Sequence, residues 1–207
     1  MNLPNKLTVF RIVTSFFFLI FLFISASGTK IVALFLFLIA VTTDIFDGKI
    51  ARSLGQTTNF GKLMDPLADK ILISCAFISF IQLDPINIPA WMPALIIIRE
   101  FSITALRLYA LSKGYIISAD RKGKQKMVSQ TTVVIIGLIA LCWKDIVNLL
   151  NLTWNISFDY TVRISMWVLT FFAVIHTIAT GLYYIWENRN LFTKTDSKNN
   201  YYPELDI

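Results

Sequence analysis

Four aspartates carry the strongest chemical signal in this sequence. Asp44 and Asp47 are spaced i, i+3 and Asp65 and Asp69 i, i+4, so within a helix each pair shares one face. Uncharged, mostly apolar residues lead up to the first pair (31–43) and away from the second (71–83). A charge at the centre of a bilayer costs about 2.5–3.5 kcal/mol on insertion scales and less near the interface, so intramembrane carboxylates face wet cavities. Four converging carboxylates also repel one another unless something positive sits between them. Hard divalent cations, Mg2+ or Mn2+, are bound by carboxylate oxygens and by substrate phosphates. A metal pair bridged by carboxylates is one way to run displacement at phosphorus. The alternative is that these acids snorkel at the interface or pair with Lys49, Arg52, Lys62 and Lys70. Four acids in register favour the metal reading, with Gly48 and Gly61 beside them to let backbone approach a ligand.

The elements that must position these acids are membrane helices. Of 207 residues, 56% are hydrophobic, 14% aromatic and only 15% charged, with 17 Phe against a single His. A soluble domain is about 45–50% apolar and about 25% charged, and one of this size could not bury so much apolar surface. Disorder is excluded by the same numbers, and two cysteines in apolar runs exclude a disulfide scaffold. A span needs about 20 mostly apolar residues. Six stretches qualify: residues 7–27, one from 31, one ending in 71–83, one starting after Pro85 or Pro89, and residues 127–143 and 164–186. Turn-forming residues fall near Gly28 and over 84–89, 114–123 and 144–159. The expected fold is therefore an all-α integral membrane protein with six transmembrane helices. Residues 1–187 form one catalytic domain and 188–207 a polar tail. A cleavable leader is the alternative for the N-terminus, with Lys6 and Arg11 before the apolar stretch and Ser25-Ala26-Ser27 after it.

Orientation follows from basic residues at the span ends. All of the 19 Lys and Arg residues except Lys30, Lys144 and Arg163 fall on the side holding both termini, which predicts cytoplasmic termini and places the aspartates on the cytoplasmic side. The net charge of +6 is thereby mostly a topology signal, and nucleic acid is not an expected partner. No phosphate-binding glycine loop, nucleotide-fold fingerprint or Cys/His zinc pattern is present. His176 stands alone in the sixth stretch and reads as a packing or interhelical hydrogen-bonding residue.

The aspartates also lie in a longer pattern. Asp44-x-x-Asp47-Gly48-x-x-Ala51-Arg52, eight residues, then Gly61-x-x-x-Asp65-x-x-x-Asp69 resembles the complete signature of the CDP-alcohol phosphotransferases, whose six-span fold also matches. The resemblance implies two divalent metal ions, Mg2+ or Mn2+. Asp44, Asp47 and Asp65 would hold one, and Asp44, Asp65 and Asp69 the other. It further implies that Asp69 is the general base and that Gly48, Arg52 and Thr58 hold the CDP moiety. Pro4-Asn5-x-Leu7-Thr8-x-x-Arg11 resembles the family's short amphipathic segment at the N-terminus, which borders the nucleotide site. That likeness adds Asn5 and Thr8 to the donor-binding residues and favours retention of the segment. The family's usual homodimer is implied as well.

Within the family, Met64-Asp65-Pro66-Leu67-Ala68-Asp69-Lys70 and the run from Ile98 through Arg99, Glu100 and Thr104 to Arg107 are most similar to phosphatidylglycerophosphate synthases. That implies transfer of a phosphatidyl group from the lipid CDP-diacylglycerol to sn-glycerol 3-phosphate in the bacterial cytoplasmic membrane. A phosphorylated acceptor needs its own cations. Arg99 and Arg107 lie within the fourth stretch, and Gly123-Lys124-Gln125-Lys126 resembles the family's Gly-Lys-x-Lys-Thr element with Met127 in place of Thr. Arg99, Arg107, Lys124 and Lys126 are thus the expected acceptor-phosphate residues. Glu100, Thr104 and Arg107 share a helical face, so Arg107 is either held by Glu100 or aimed at phosphate. The competing activities are the same transfer to serine or inositol phosphate and, more remotely, an intramembrane prenyltransferase or a transporter. A transporter predicts midplane carboxylates and a repeat between halves; neither is visible.

Overall fold

The computed structural model describes the backbone of residues 3–54, 59–112, 121–150, 152 and 156–189, and the side chains of residues 6–43, 64, 67–68, 70–110, 126–150, 152 and 156–189. Six α-helices and no strands occur among them: α1 (Leu3–Phe23), α2 (Thr29–Leu54), α3 (Asn59–Ser79), α4 (Trp91–Ser112), α5 (Arg121–Leu149) and α6 (Ile156–Glu187).

Lys6–Phe23, Lys126–Leu149 and Ile156–Glu187 are each long and apolar enough to cross a membrane, and Thr29–Thr43 and Lys70–Ser79 are shorter apolar stretches. In the sequence the charged signature follows the first of these stretches and precedes the second. Phe16, Phe35, Ile98, Phe172 and Trp186 are exposed on the outer faces of the helices. Apolar residues both inside and outside a helical bundle are what lipid contact requires. The chain is an integral membrane protein.

α1 packs against α2 and α3, α5 against α2 and α6, and α4 against α6, with α3 touching both α4 and α5. Phe18 of α1 meets Phe37 of α2 with ring centroids 5.6 Å apart, and Phe77 meets Phe80 edge-on at 6.3 Å. Leu72, Met92, Ile96, Val134, Leu138 and Met166 complete the core between them. Gly137 of α5 lies directly under Phe80. A Cβ there would stand 2.6 Å from the Phe80 ring and 2.9 Å from the Met166 methyl. Alanine would gain about 1 kcal/mol of helix propensity, but overpacking a filled core costs about 1–3 kcal/mol. Since Phe80 is fully buried and cannot swing away, Gly137→Ala should lower the thermal midpoint in detergent; an unchanged or higher midpoint would contradict this packing.

At the end of the bundle away from the aspartates, charged side chains join the helices. Asp145 Oδ2 accepts hydrogen bonds from the backbone N–H groups of Gly28 (2.7 Å) and Lys30 (3.2 Å), satisfying donors that the start of α2 leaves open. The Lys30 ammonium donates to the carbonyls of Leu22 and Ile24, each at 2.7 Å, and closes the end of α1. Lys144 pairs with Asp159 at 3.5 Å and Arg163 with Asp84 at 3.1 Å. These contacts explain a difference from expectation. Residues 144–149 and 156–159 read as part of a connection, yet they belong to α5 and α6, since their charges find partners at this end of the bundle. The N-terminal segment, expected as a separate lead-in, is continuous with α1 from Leu3.

Candidate active site

The aspartates stand where α2 and α3 adjoin. Asp44, Asp47, Gly48 and Arg52 are on α2, Asp65 and Asp69 on α3, and residues 55–58 join the two helices. At 1.5 Å of rise per residue, Asp44 and Asp47 lie about 10–15 Å before the end of α2, and Asp65 and Asp69 about 9–15 Å after the start of α3. The two pairs therefore sit at matching heights, each pair on one helical face. Their side chains, and those of Gly48, Arg52, Asn5 and Lys124, lie outside the described residues, as does Thr58 altogether. Among the described side chains no group of three metal-ligating residues occurs. A donor set made only of carboxylates on two neighbouring helices fits a hard divalent cation and no softer metal.

α1 brings a polar surface to the same level. Thr8, Arg11, Thr14 and Ser15 are buried on the helix that packs against α2 and α3, with Phe18 and Leu22 continuing the stripe toward the other end. Counted from the α1–α2 turn, Thr8 stands about 22 Å along α1 and Asp44 about 22 Å along α2, so the expected donor residue and the first aspartate share a height. Arg11 is 1% exposed.

The described part of the site is a buried polar cluster on α4, α5 and α6. Glu100 accepts from the Lys126 ammonium in a direct ion pair, from Gln130 Nε2 at 3.2 Å and from Arg99 Nη1 at 3.4 Å. Gln130 also donates to Thr177 Oγ1 at 2.9 Å, and Arg99 Nη2 to Thr180 Oγ1 at 3.2 Å. Gly181 leaves room for the Arg99 side chain, whose Nε would lie 2.9 Å from a Cβ at that position. Arg107 rests with its guanidinium carbon 5.9 Å from the centroid of the Tyr184 ring, a cation–π arrangement. Lys70, the residue after Asp69, lies within electrostatic reach of both Glu100 and Lys126. The cationic cluster thus borders the helix that carries the second aspartate pair.

Three of the four expected acceptor-phosphate residues, Arg99, Arg107 and Lys126, come together here, and Lys124 is on the first turn of α5. Glu100 takes Lys126, Arg99 and Gln130 as partners among the described residues, so it does not hold Arg107. Among the described residues, one carboxylate stands among Arg99, Arg107, Lys126 and Lys70, a surplus of positive charge suited to a phosphate. His176 Nδ1 lies 3.2 Å from Ser129 Oγ, the interhelical hydrogen bond its isolation suggested. Gln130, Thr177, Thr180 and Tyr184 were not anticipated from the sequence. For the three on α6 the signal was a polar stripe at i, i+3 and i+7.

The chain is similar to known proteins over most of its length. The chain is 39% identical over 187 residues to the CDP-diacylglycerol–glycerol-3-phosphate 3-phosphatidyltransferase of Bacillus subtilis, covering 84% of this chain and 90% of that protein. It is 41% identical over 143 residues to a probable phosphatidylglycerophosphate synthase of Mycobacterium tuberculosis, covering 68% of this chain and 66% of the relative. It is 33% identical over 184 residues to the CDP-diacylglycerol–glycerol-3-phosphate 3-phosphatidyltransferase of Rickettsia felis, covering 88% and 93%. The CDP-alcohol phosphatidyltransferase family model matches residues 1–179, from the N-terminal segment through both aspartate pairs to Ala179 on α6. With the signature on two adjoining helices and the match running through five of the six helices and most of the last, the chain belongs to the CDP-alcohol phosphatidyltransferase family.

Proposed function

We propose that this protein transfers the phosphatidyl group of CDP-diacylglycerol to sn-glycerol 3-phosphate, giving phosphatidylglycerophosphate and CMP. The observation that carries the proposal is the 39% identity, over 84% of the chain, to a protein named for that reaction. The acceptor hydroxyl attacks the β-phosphorus of the donor, a new P–O bond forms, and the bond to the leaving CMP breaks. Asp69 takes the hydroxyl proton, since an alcohol is not ionised at neutral pH and needs a base as the bond forms. Asp44, Asp47, Asp65 and Asp69 would hold two divalent ions, Mg2+ or Mn2+, which neutralise the diphosphate when bound. Gly48, Arg52 and Thr58, with Asn5 and Thr8 alongside, hold the nucleotide end of the donor, and Arg52 offsets charge developing on CMP. Direct displacement is favoured over a phospho-enzyme because no further nucleophile stands in the motif.

Arg99, Arg107, Lys124 and Lys126 bind the phosphate of the acceptor. The surplus positive charge of their cluster supports a phosphorylated acceptor over serine. The remaining architecture is proposed with it: six spans within residues 1–187, a polar tail from 188 to 207, both termini and the site facing the cytoplasm of a bacterial membrane, and a homodimer.

Purified protein in detergent micelles with CDP-diacylglycerol and Mg2+ should release CMP with sn-glycerol 3-phosphate and not with serine or inositol phosphate. Faster release with either of the others would overturn the acceptor assignment, and no release with any would overturn the reaction. Arg107→Ala should raise the KM for sn-glycerol 3-phosphate by about 10- to 100-fold, since a hydrogen bond to a charged group contributes roughly 1.5–3 kcal/mol. The KM for the lipid donor should stay within about twofold; equal changes in both would argue against a separate acceptor pocket.

A further inference from the structure

One side of α6 carries polar residues outside the aspartate signature. Thr177, Thr180, Gly181 and Tyr184 follow at i, i+3, i+4 and i+7, one continuous stripe on the helix. The first three have evident structural uses. Thr177 accepts from Gln130, Thr180 accepts from Arg99, and Gly181 gives the Arg99 side chain its room.

Tyr184 differs. It is 8% exposed, and its hydroxyl is buried without a hydrogen-bond partner among the described residues. The Arg107 guanidinium lies against its ring, and the buried Nε of Arg107 also lacks a partner, as does that of Arg99. Among the described residues, three donors on α4 and α6 in the cationic cluster are therefore left without a partner, that of Arg99 lying against Gly181. A buried hydroxyl without a partner is destabilising, and such groups call for an explanation when they occur together. Two guanidinium N–H groups and a phenol are complementary to the oxygens of a phosphomonoester. Tyr184 lies beyond residue 179, where the family match ends, so that match assigns it nothing.

We propose that Tyr184 is a binding residue of the acceptor site, its hydroxyl donating a hydrogen bond to the phosphate of sn-glycerol 3-phosphate beside Arg107 and Arg99. The proposal rests on the acceptor reading of Arg99, Arg107 and Lys126. It extends the site from α4 and α5 onto α6.

Tyr184→Phe removes the hydroxyl alone and keeps the ring against Arg107. Because that hydroxyl has no partner without substrate, the thermal midpoint of the variant in detergent should equal or exceed that of the wild type. Its KM for sn-glycerol 3-phosphate should rise about tenfold, as expected for losing one hydrogen bond to a charged group. The kcat and the KM for CDP-diacylglycerol should stay within about twofold, the pattern of lost ground-state binding. Tyr184→Leu also removes the ring that seats Arg107, and should raise the acceptor KM further. Unchanged kinetics in Tyr184→Phe, with Arg107→Ala still raising the acceptor KM, would overturn this inference and leave the acceptor reading standing. Unchanged acceptor KM in Arg107→Ala and Lys126→Ala would overturn both. A rise confined to the donor KM would move Tyr184 to the donor side and overturn the assignment. So would a lowered midpoint with kcat and both KM values changed together, which marks a structural role.

Discussion

Asp69→Asn is expected to lower turnover by at least about a thousandfold while leaving the protein folded. The substitution keeps size and shape but removes both the negative charge and the basic oxygen. A positioned general base alone contributes about 10²- to 10⁴-fold, and the same residue is also proposed as a metal ligand. Stability should move the other way. Four carboxylates at matching heights on α2 and α3 repel one another without metal, so the variant's thermal midpoint in a chelator should equal or exceed that of the wild type. Added Mg2+ should stabilise it less than the wild type, because a ligand stabilises by its affinity for the folded state. Turnover within tenfold of wild type would sink the assignment of Asp69 as base. A midpoint lowered by several degrees in chelator would mean that Asp69 holds the fold and not the reaction.

The aspartates stand out in the sequence because their spacing is local. A separation of three or four residues fixes a shared helical face whatever the tertiary structure does. The helices themselves were legible from their apolar runs, apart from their ends. The charged ends of α5 and α6 looked like loops because sequence reading assigns charge to connections. Asp145 under the start of α2, Lys144 against Asp159 and Arg163 against Asp84 are tertiary contacts, and they let charged residues remain helical beyond the apolar stretch.

The α4–α5–α6 cluster was half legible. Arg99, Arg107 and Lys126 stood out as cations in or beside apolar runs, where an ionisable group is a functional candidate by default. Their organiser did not stand out. Glu100 has a local partner available at i+7 and a distant one on α5, and spacing cannot choose between them. Packing of α4, α5 and α6 around one another makes that choice. Thr177, Thr180 and Tyr184 gave still less warning, since single hydroxyls are common in membrane helices. Only the neighbouring helix shows which face of α6 they occupy.

That organising role gives Glu100 the largest expected effect on stability. Its side chain and that of Lys126 are 9% and 8% exposed. Removing one partner of a buried ion pair strands the other charge in a low-dielectric interior, a loss of roughly 3–5 kcal/mol. Glu100→Ala strands Lys126 and takes one partner each from Arg99 and Gln130, so its thermal midpoint should fall steeply. The Arg163–Asp84 pair is the control, with side chains 49% and 64% exposed. Arg163→Ala should change stability by no more than about 1 kcal/mol, because water already solvates both ions. The double variant Glu100→Leu with Lys126→Met separates stability from function. Replacing a buried pair by apolar groups of similar size is often neutral or stabilising, so the double variant should recover most of the lost midpoint. Its KM for sn-glycerol 3-phosphate should remain high, because Lys126 is gone. A double variant as unstable as Glu100→Ala would place the loss in packing and not in the stranded charge. One that regained both stability and acceptor affinity would remove Lys126 from the phosphate site.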